Sequence, residues 1–545
     1  MKARYPIPRG PLPKGIRLDE NVYVTMRDGV KIAVDIYRPE AEGRCPAVFS
    51  MSPYIKELQQ WPPELTHSIE AGATHYLVPR GYVHVIANQR GTGMSQGQYN
   101  YLGIDEQRDG YDIIEWIAQQ PWCTGAVGMI GESQYGRIQY LVAAQQPPHL
   151  KCIVPYDAGT DRYRDSYRGG VLGAAFYTMW AFDTMQQCLW PGPVEGKLPP
   201  ANMLYDWATN PEDGPYWQER SPLEHTDKVK VPMLAIAIAN GPTHSESQLR
   251  TFREWKVPKK LIVLPPKRDH VFFLGNKPLN EIIGRWFDHW LKGVDNGVMN
   301  GPEIAICDGV TRQWRYENEY PLARTQWTRF YLRTNPASSA DRAPWGAISL
   351  TKPGEEPPDS YRTPDCIETA FAGKPVLGYQ SAPLERDLRI WGPISMTLHG
   401  SCTTADTIWF VRVGEIDPQG SLNLLTYGVL KASFRELDRA KSRPGQPMHK
   451  YRDPVHPEPG KAHEYEILMI PIFHTLRAGN RLWIQIASHD LTHIMYLHTT
   501  YTADMLPVPA VNTVYHDMAR PSQLLLPIIP DAPELAKVEP PLADV

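Results

Sequence analysis

The sequence lacks the features that place a protein in a membrane or on nucleic acid. No apolar run approaches the ~20 residues that a membrane-spanning helix needs, and the proline-broken start, MKARYPIPRG, is unlike a secretory signal. The net charge is only −4, with no run of basic residues, which argues against nucleic acid as a partner. We therefore expect a cytoplasmic protein with neither a membrane nor a nucleic-acid partner.

Paired cysteines are also missing. Seven cysteines, an odd number, are scattered without a CxxC spacing, so the sequence indicates reduced thiols and no bound metal or cofactor. Apolar residues, by contrast, are plentiful: they make up 42% of the 545 residues, against 21% charged. At roughly 150 residues per domain, this chain is long enough for about two to four domains with sizeable cores.

The first half of the chain alternates strand and helix patterns. NVYVTM and VKIAVDIYRP predict a hairpin across the turn RDG, and further strands are predicted at 45–54 and 82–91. Helical spacing behind an acidic first turn predicts a helix over 105–120. AVGMIG, a helix over 134–146 and the strand KCIVPY follow. This alternation predicts a parallel sheet with helices on both faces.

Residues 158–225 interrupt the alternation. GGVLGAAFYTMWAFDTMQQCLW is predicted to be helical and the Pro-rich remainder a loop, before strands resume at 231–240 and 259–266 and a helix at 280–293. The interruption is most simply an insertion over the carboxyl ends of the strands, where open α/β sheets bind ligands.

After about residue 320 the pattern changes to short β-like runs separated by turns, which predicts an antiparallel β-sandwich or jelly roll. The last twenty residues are Pro-rich and are predicted to form an extended tail. The predicted domains are an α/β domain in two parts, 1–157 and 226–318, a helical cap at 158–225, and a C-terminal β domain at 319–545.

GMIGESQYGR, residues 128–137, places Ser133 between a predicted strand and a predicted helix. A nucleophilic serine needs a sharp turn at this point, and Gly131 fits the G-x-S-x-G elbow of hydrolases. The second glycine, however, is Gly136, one position late, and Ser133 also suits the N-cap of the helix. His270 follows the last predicted strand of the sheet, where a general base belongs in the order Ser…Asp/Glu…His.

Six stretches, in chain order, resemble the CocE/NonD group of α/β-hydrolases, the cocaine-esterase and X-prolyl-dipeptidase type. They are MRDGVKIAVDIYRP, NQRGTGMSQG, GESQYG, RWFDHWLKGVDNGV, LTYGVLKASFRELD and RAGNRLWIQIASHD. The late glycine is itself part of that family's elbow. The resemblance covers roughly residues 20–500. It implies an α/β-hydrolase domain with a helical cap, followed by a C-terminal jelly-roll (galactose-binding-like) domain.

Residue by residue, the resemblance implies that Ser133 is the nucleophile and His270 the general base. It also implies an oxyanion hole made of the Tyr54 hydroxyl and the backbone N–H of Gln134, although Tyr54 also suits a half-buried position at a strand end. Two positions depart from the family, which usually has aspartate at Asn88 and tyrosine at Gln134.

The acid of the triad is the main departure. Where the family has an aspartate in a G-W-x-D-like stretch, this sequence has AIAIANGPTHSESQLR, with Gly241 at the aspartate position. Glu246 is the nearest downstream carboxylate and is the predicted acid, with Asn240 and Asp269 as weaker alternatives. Glu246 equally suits the first turn of a helix, where acidic residues are favoured.

The predicted cap helix supplies a substrate pocket for a bulky apolar or aromatic acyl group, although such a stripe also suits a core. The pocket residues are Phe176, Tyr177 and Trp180. Three arginines nearby suit either a substrate carboxylate or an ion-pair network with Asp161 and Asp165; they are Arg162, Arg164 and Arg168.

These features predict a serine hydrolase that cleaves a carboxylic ester, or an amide, of a small molecule through an acyl-enzyme, without a cofactor. Two alternatives keep the fold and the acyl-enzyme: transfer of the acyl group to another acceptor, and an X-prolyl-type peptidase. A third is a ligand-binding relative impaired by loss of the acid. A homo-oligomer is compatible with the β-rich C-terminal domain.

Overall fold

A computed structural model of the chain describes residues 12–60, 70–241, 244–266, 277–334, 345–363, 376–488 and 510–530. The strands before residue 320 are β1 (Ile16–Thr25), β2 (Lys31–Pro39), β3 (Cys45–Ser52), β4 (Val83–Asn88), β5 (Cys123–Glu132), β6 (Leu150–Tyr156), β7 (Tyr167–Arg168), β8 (Val171–Leu172), β9 (Met233–Ile238), β10 (Lys259–Leu264), β11 (Ile304–Cys307) and β12 (Trp314–Glu317). The helices are α1 (Thr74–Leu77), α2 (Ile104–Ala118), α3 (Gln134–Ala144), α4 (Arg162–Ser166), α5 (Ala174–Leu189), α6 (Met203–Thr209), α7 (Pro215–Arg220), α8 (Ser245–Glu254) and α9 (Lys277–Lys292).

Ten of these strands form one sheet in the order β1-β2-β4-β3-β5-β6-β9-β10-β11-β12. The central strands from β4 to β11 are parallel, while the hairpin β1–β2 and the last strand β12 pair antiparallel. Apolar side chains on both faces of the sheet are buried in two clusters, as expected for a parallel sheet covered by helices. The predicted hairpin and parallel sheet are confirmed.

The carboxyl ends of the parallel strands meet at one edge and bring distant residues together. Tyr54 follows β3, Ser133 follows β5 and Asp157 follows β6. The segment after β9 contains Asn240 and His244. Sheets of this type bind ligands at this edge, so we expect the functional site there.

Helices α4 to α7 lie between β6 and β9. Helix α5 coincides with the predicted apolar helix, but α6 and α7 fall in the stretch predicted to be loop. Local capping explains them: the Asn202 side chain accepts a hydrogen bond from the Tyr205 N–H at 3.1 Å, and Pro215 occupies the first turn of α7. Helices of six or seven residues are too short to show a periodic apolar pattern.

The described residues after 320 form β-strands and their connections, as predicted. The strands are β13 (Gln326–Arg333), β14 (Trp345–Ser349), β15 (Asp359–Thr363), β16 (Leu377–Ser381), β17 (Leu388–Gly392), β18 (Ser395–Cys402), β19 (Ile408–Ile416), β20 (Leu422–Lys431), β21 (His463–Leu468), β22 (Ile472–Leu476), β23 (Arg481–Ala487), β24 (Ala510–Tyr515) and β25 (Gln523–Ile528). Ten of them follow the order β15-β24-β18-β25-β13-β14-β16-β23-β19-β20, and β17, β21 and β22 join at the side.

All pairs in this second sheet system are antiparallel except β14 with β16. The jelly-roll topology stays a prediction. One part of the predicted tail is wrong: Leu526–Ile528 belong to β25, which pairs with β13. The described residues contain no helix that is both long and apolar enough to cross a membrane.

Candidate active site

Ser133 lies on a strained turn between β5 and α3. Its backbone has φ 56° and ψ −115°, a region that residues with a side chain rarely adopt. Such strain costs on the order of 1–3 kcal/mol and persists where function requires it. The Ser133 side chain makes no capping hydrogen bond to α3, and Ser133 is partly exposed between buried neighbours. The turn therefore has the form of a nucleophile elbow, and the N-cap alternative loses its hydrogen bond.

Two glycines make this turn possible. Gly131 has φ 147°, and a Cβ atom there would lie 2.2 Å from Cβ of Tyr135. A Cβ atom on Gly136 would lie 2.6 Å from Cβ of Ala158 and 3.0 Å from the carbonyl oxygen of Gly131. The second glycine falls at 136 because that is where α3 approaches the segment after β6.

Tyr54 and Gln134 are placed beside the elbow. The Tyr54 ring meets the edge of the Tyr135 ring at 6.2 Å, and its hydroxyl oxygen accepts a hydrogen bond from the Trp180 indole at 2.8 Å. The O–H of Tyr54 remains a donor, and burial raises its pKa well above the usual value, so it stays protonated. Gln134 is the first residue of α3, where helical N–H groups have no partner within the helix.

The predicted pocket residues all lie on α5, but they differ in role. Tyr177 is buried, and its hydroxyl donates to the Asp165 carbonyl at 2.9 Å. Trp180 is half-buried, and its ring centroid lies 5.5 Å from that of Tyr101. Its indole N–H donates to the Tyr54 hydroxyl. Phe176 is half-buried against Tyr177 at 5.2 Å. Trp180 is thus the member that connects the cap to the predicted oxyanion hole.

The predicted acid, Glu246, already has a strong partner. It is buried in the first turn of α8, and its Oε1 accepts from Arg250 Nε at 3.2 Å. Arg250 also donates to Asp161 at 2.7 Å, so Glu246 is part of an ion-pair network. This geometry favours the structural interpretation of Glu246. His270 and Asp269 lie outside the described residues.

A second carboxylate lies closer to the elbow. Asp157 directly follows β6, is 4% exposed and has φ 41°. The Ser133 N–H donates to the Tyr156 carbonyl at 2.9 Å, so the Tyr156–Asp157 peptide lies against the serine. Asp157 Oδ2 is 3.3 Å from Nδ1 of His244, which is also buried. In a catalytic triad the acid is hydrogen-bonded to Nδ1 of the base; the 3.3 Å contact places Asp157 beside that atom of His244 without this hydrogen bond.

The Arg162–Arg168 segment is mostly a structural network. Arg162 contacts Asp165 at 3.5 Å, and Arg164 contacts Asp161 at 2.9 Å and Asp213 at 3.1 Å. Burial raises the pKa of Asp165 to about 7, against the opposing charges of Arg162 and Arg137. These contacts support the ion-pair alternative for Arg162 and Arg164.

Sequence reasoning passed over Asp157 and His244. Asp157 ends the run KCIVPYD, and a polar residue immediately after a buried parallel strand is a usable signal. His244 carries no such signal, because its neighbourhood in PTHSES is typical of a surface loop. Only the parallel pairing of β6 with β9, which are far apart in the chain, brings the two side chains together.

Comparison with known proteins gives a consistent result. A family model described as X-Pro dipeptidyl-peptidase (S15 family) matches residues 28–270. A second, described as the X-Pro dipeptidyl-peptidase C-terminal non-catalytic domain, matches residues 296–525. The chain is 26% identical to the cocaine esterase of a Rhodococcus species, over 93% of this chain and 98% of that protein.

Solved structures share the fold. A CocE/NonD family hydrolase from Staphylococcus aureus has a TM-score of 0.82 at 22% identity, over 95% of this chain and 97% of that one. An aminopeptidase from a marine sediment thaumarchaeote has a TM-score of 0.74 at 18% identity, over 96% and 99%. The architecture is therefore an α/β-hydrolase domain followed by a separate C-terminal domain.

Proposed function

We propose that this chain, a serine hydrolase similar to both X-Pro dipeptidyl-peptidase domain models over residues 28–270 and 296–525, cleaves a carboxylic ester through an acyl-enzyme on Ser133. The observation that carries this proposal is the strained, partly exposed backbone of Ser133, whose side chain makes no capping bond. Strain of this kind presents a serine hydroxyl above the end of a sheet.

In the proposed reaction, Ser133 Oγ attacks the ester carbonyl and passes its proton to a histidine. The oxyanion that forms accepts hydrogen bonds from the Tyr54 O–H and the Gln134 N–H, which in comparable sites stabilise the transition state by several kcal/mol. The intermediate collapses, and the histidine protonates the departing alcohol. Water then attacks the acyl-enzyme by the same route and releases the carboxylic acid.

Asp157 is the carboxylate that we assign to the vacant role of the acid. It follows the strand next to that of Ser133, and it keeps the chain order Ser…Asp…His. His270 is the proposed base by resemblance. His244 is the second candidate, favoured by its 3.3 Å contact with Asp157 through Nδ1, which leaves Nε2 for the serine.

Active-site labelling tests the function itself. A fluorophosphonate probe should add one label to the wild-type protein, and none to Ser133→Ala. Ser133→Ala should also lose at least about a thousandfold of kcat on aryl and alkyl esters. Ser421→Ala, which alters an exposed serine, is the control. A label that persists in Ser133→Ala would overturn the assignment. Xaa-Pro anilides in the same panel decide between ester and peptide substrates.

Four variants then assign the acid and the base. Asp157→Asn should lower kcat by about 100- to 10,000-fold with KM little changed, because the wrong histidine tautomer is held. Glu246→Gln should leave the pH dependence of kcat as in the wild type. His270→Ala should abolish turnover and His244→Ala should not; the reverse result moves the base role to His244. A larger effect of Glu246→Gln than of Asp157→Asn would contradict the assignment of Asp157.

A further inference from the structure

Arg137 is a buried cation close to the proposed nucleophile. It lies one helical turn after Ser133 on α3, and its backbone N–H donates to the Ser133 carbonyl at 2.9 Å. Only 4% of Arg137 is exposed, and its Nε atom is fully buried without a hydrogen-bond partner. Arginine in a helix of apolar character, GRIQYLVAA, is the sequence signal for this position.

Among the described residues, Arg137 differs from the other buried arginines because its side chain has no hydrogen-bond or ion-pair partner. In the part of the chain that the structure describes, its side chain forms no ion pair and no hydrogen bond. The others are paired: Arg90 with Asp109, Arg162 with Asp165, Arg220 with Glu219 and Arg250 with Asp161, while Arg168 faces the Tyr427 ring. A buried charge without a partner costs several kcal/mol, and a ligand of opposite charge would offset that cost.

The surroundings of Arg137 place its charge in the substrate region. Its positive charge lowers the pKa of Tyr54, of Asp165 and of Tyr177, although burial raises each of them overall. Asp165 is not within ion-pair distance of Arg137 among the described contacts; its carboxylate accepts from Ser247 at 2.9 Å and contacts Arg162 at 3.5 Å. The charge of Arg137 therefore acts both on the oxyanion tyrosine and on Tyr177 of the cap helix.

We propose that Arg137 binds a carboxylate group of the substrate, so that the preferred substrates are esters that also carry a free carboxylate. The planar guanidinium fork matches a carboxylate with two parallel hydrogen bonds. This inference rests on the proposed function for its catalytic meaning. The carboxylate itself is recognised by Arg137 whether or not the bond that is cleaved is an ester.

Matched substrates test the proposal. Wild type and Arg137→Met are compared on 4-nitrophenyl butyrate and on mono-4-nitrophenyl succinate, which has a carboxylate on its acyl side. 4-Acetoxybenzoate places the carboxylate on the leaving group and is compared with phenyl acetate. For one of the two pairs, the ratio of kcat/KM for the anionic over the neutral ester should fall by about 10- to 100-fold in Arg137→Met. Arg108→Met, an exposed arginine on α2, should leave both ratios unchanged.

Unfolding measurements provide a test that needs no turnover. Arg137→Met should raise Tm by a few degrees because it removes an unpaired buried charge. Arg250→Met should lower Tm because it leaves Asp161 and Glu246 without their partner. Benzoate or succinate should raise the Tm of the wild type and of Ser133→Ala, but not that of Arg137→Met.

The outcomes separate the two proposals. Unchanged anionic-to-neutral ratios, or carboxylate-induced Tm shifts that survive in Arg137→Met, overturn the carboxylate site. An equal loss on anionic and neutral esters also overturns it, because Arg137 would then act on the oxyanion. If the probe fails to label Ser133 while benzoate still shifts Tm through Arg137, the hydrolase proposal fails and the binding site stands.

Discussion

At the scale of single residues, the site depends on two residues with unusual backbone angles and on two glycines that make room for them. Ser133 and Asp157 both have positive φ angles, 56° and 41°, at the ends of neighbouring strands. Gly131 and Gly136 allow this conformation because they remove Cβ atoms that would overlap Tyr135 and Ala158. The unusual spacing of the elbow glycines is therefore a packing requirement.

Gly136→Ala should destabilise the hydrolase domain by about 1–3 kcal/mol, because the added methyl group meets Ala158 and two backbone carbonyl oxygens. Urea unfolding followed by circular dichroism measures the change, and kcat should fall with it as the elbow shifts. Gly354→Ala is the control, since a Cβ atom on this exposed glycine meets nothing within 4 Å. Equal stability of the two variants would contradict the packing explanation.

At the scale of elements, helix α5 connects the cap to the elbow through one side chain. Trp180 packs between Tyr101 and Trp207 and donates its indole N–H to the Tyr54 hydroxyl at 2.8 Å. Because the hydroxyl oxygen accepts this bond, its hydrogen is turned away from Trp180. Helix α5 thus orients the O–H donor of Tyr54, a residue that follows strand β3 of the sheet.

Trp180→Phe keeps the aromatic packing and removes the N–H group. The loss of one hydrogen bond of about 1 kcal/mol should lower kcat by about fivefold, with a smaller effect on KM. Steady-state kinetics on a neutral aryl ester measures both. Phe182→Leu, on the exposed face of the same helix, should leave kcat unchanged. A change in KM alone would assign Trp180 to substrate contact instead.

At the scale of the whole molecule, a buried carboxylate links the ten-stranded sheet to the second sheet system. Asp308 follows β11 and is 1% exposed. Its Oδ2 accepts from Trp391 Nε1 of β17 at 2.9 Å and from Thr475 Oγ1 of β22 at 2.7 Å, and both strands belong to the second sheet system. Burial would raise the pKa of Asp308, but the hydrogen bonds from Thr311, Thr475 and Trp391 lower it overall.

Asp308→Asn should destabilise the protein by about 1.5–3 kcal/mol at pH 7. The amide NH₂ group replaces one charged carboxylate oxygen and cannot accept the hydrogen bonds that this oxygen accepts. A lowered pKa contributes stability that is present above the unfolded value, about 3.9, and lost as the pH falls through the folded value. The Tm difference from the wild type should therefore shrink below pH 4. Asp387→Asn, at an exposed ion pair with Arg477, should change Tm little at either pH. A Tm difference that stays constant with pH would contradict this role of Asp308.

Periodic patterns predicted most of the elements. The spacing of apolar residues located α2, α3, α5 and α9, and β-rich runs located the sheet strands. The β-like pattern of IWGPISMTLHG, residues 390–400, runs on without a break, whereas Gly392 and Pro393 separate β17 from β18. Short capped helices and the order of the C-terminal strands have no such pattern, and they were not predicted.

The sequence by itself determined the α/β and β halves and the turn at Ser133, because these depend on local spacing and residue type. The missing aspartate near Gly241 was implied by the resemblance to the family. Only the tertiary structure decided the partners of the charged groups. It paired Arg250 with Asp161, placed Asp157 against His244, and left Arg137 buried without a hydrogen-bond or ion-pair partner among the described residues. These charged side chains meet residues that are far away in the chain. A local sequence pattern therefore does not show which residues pair.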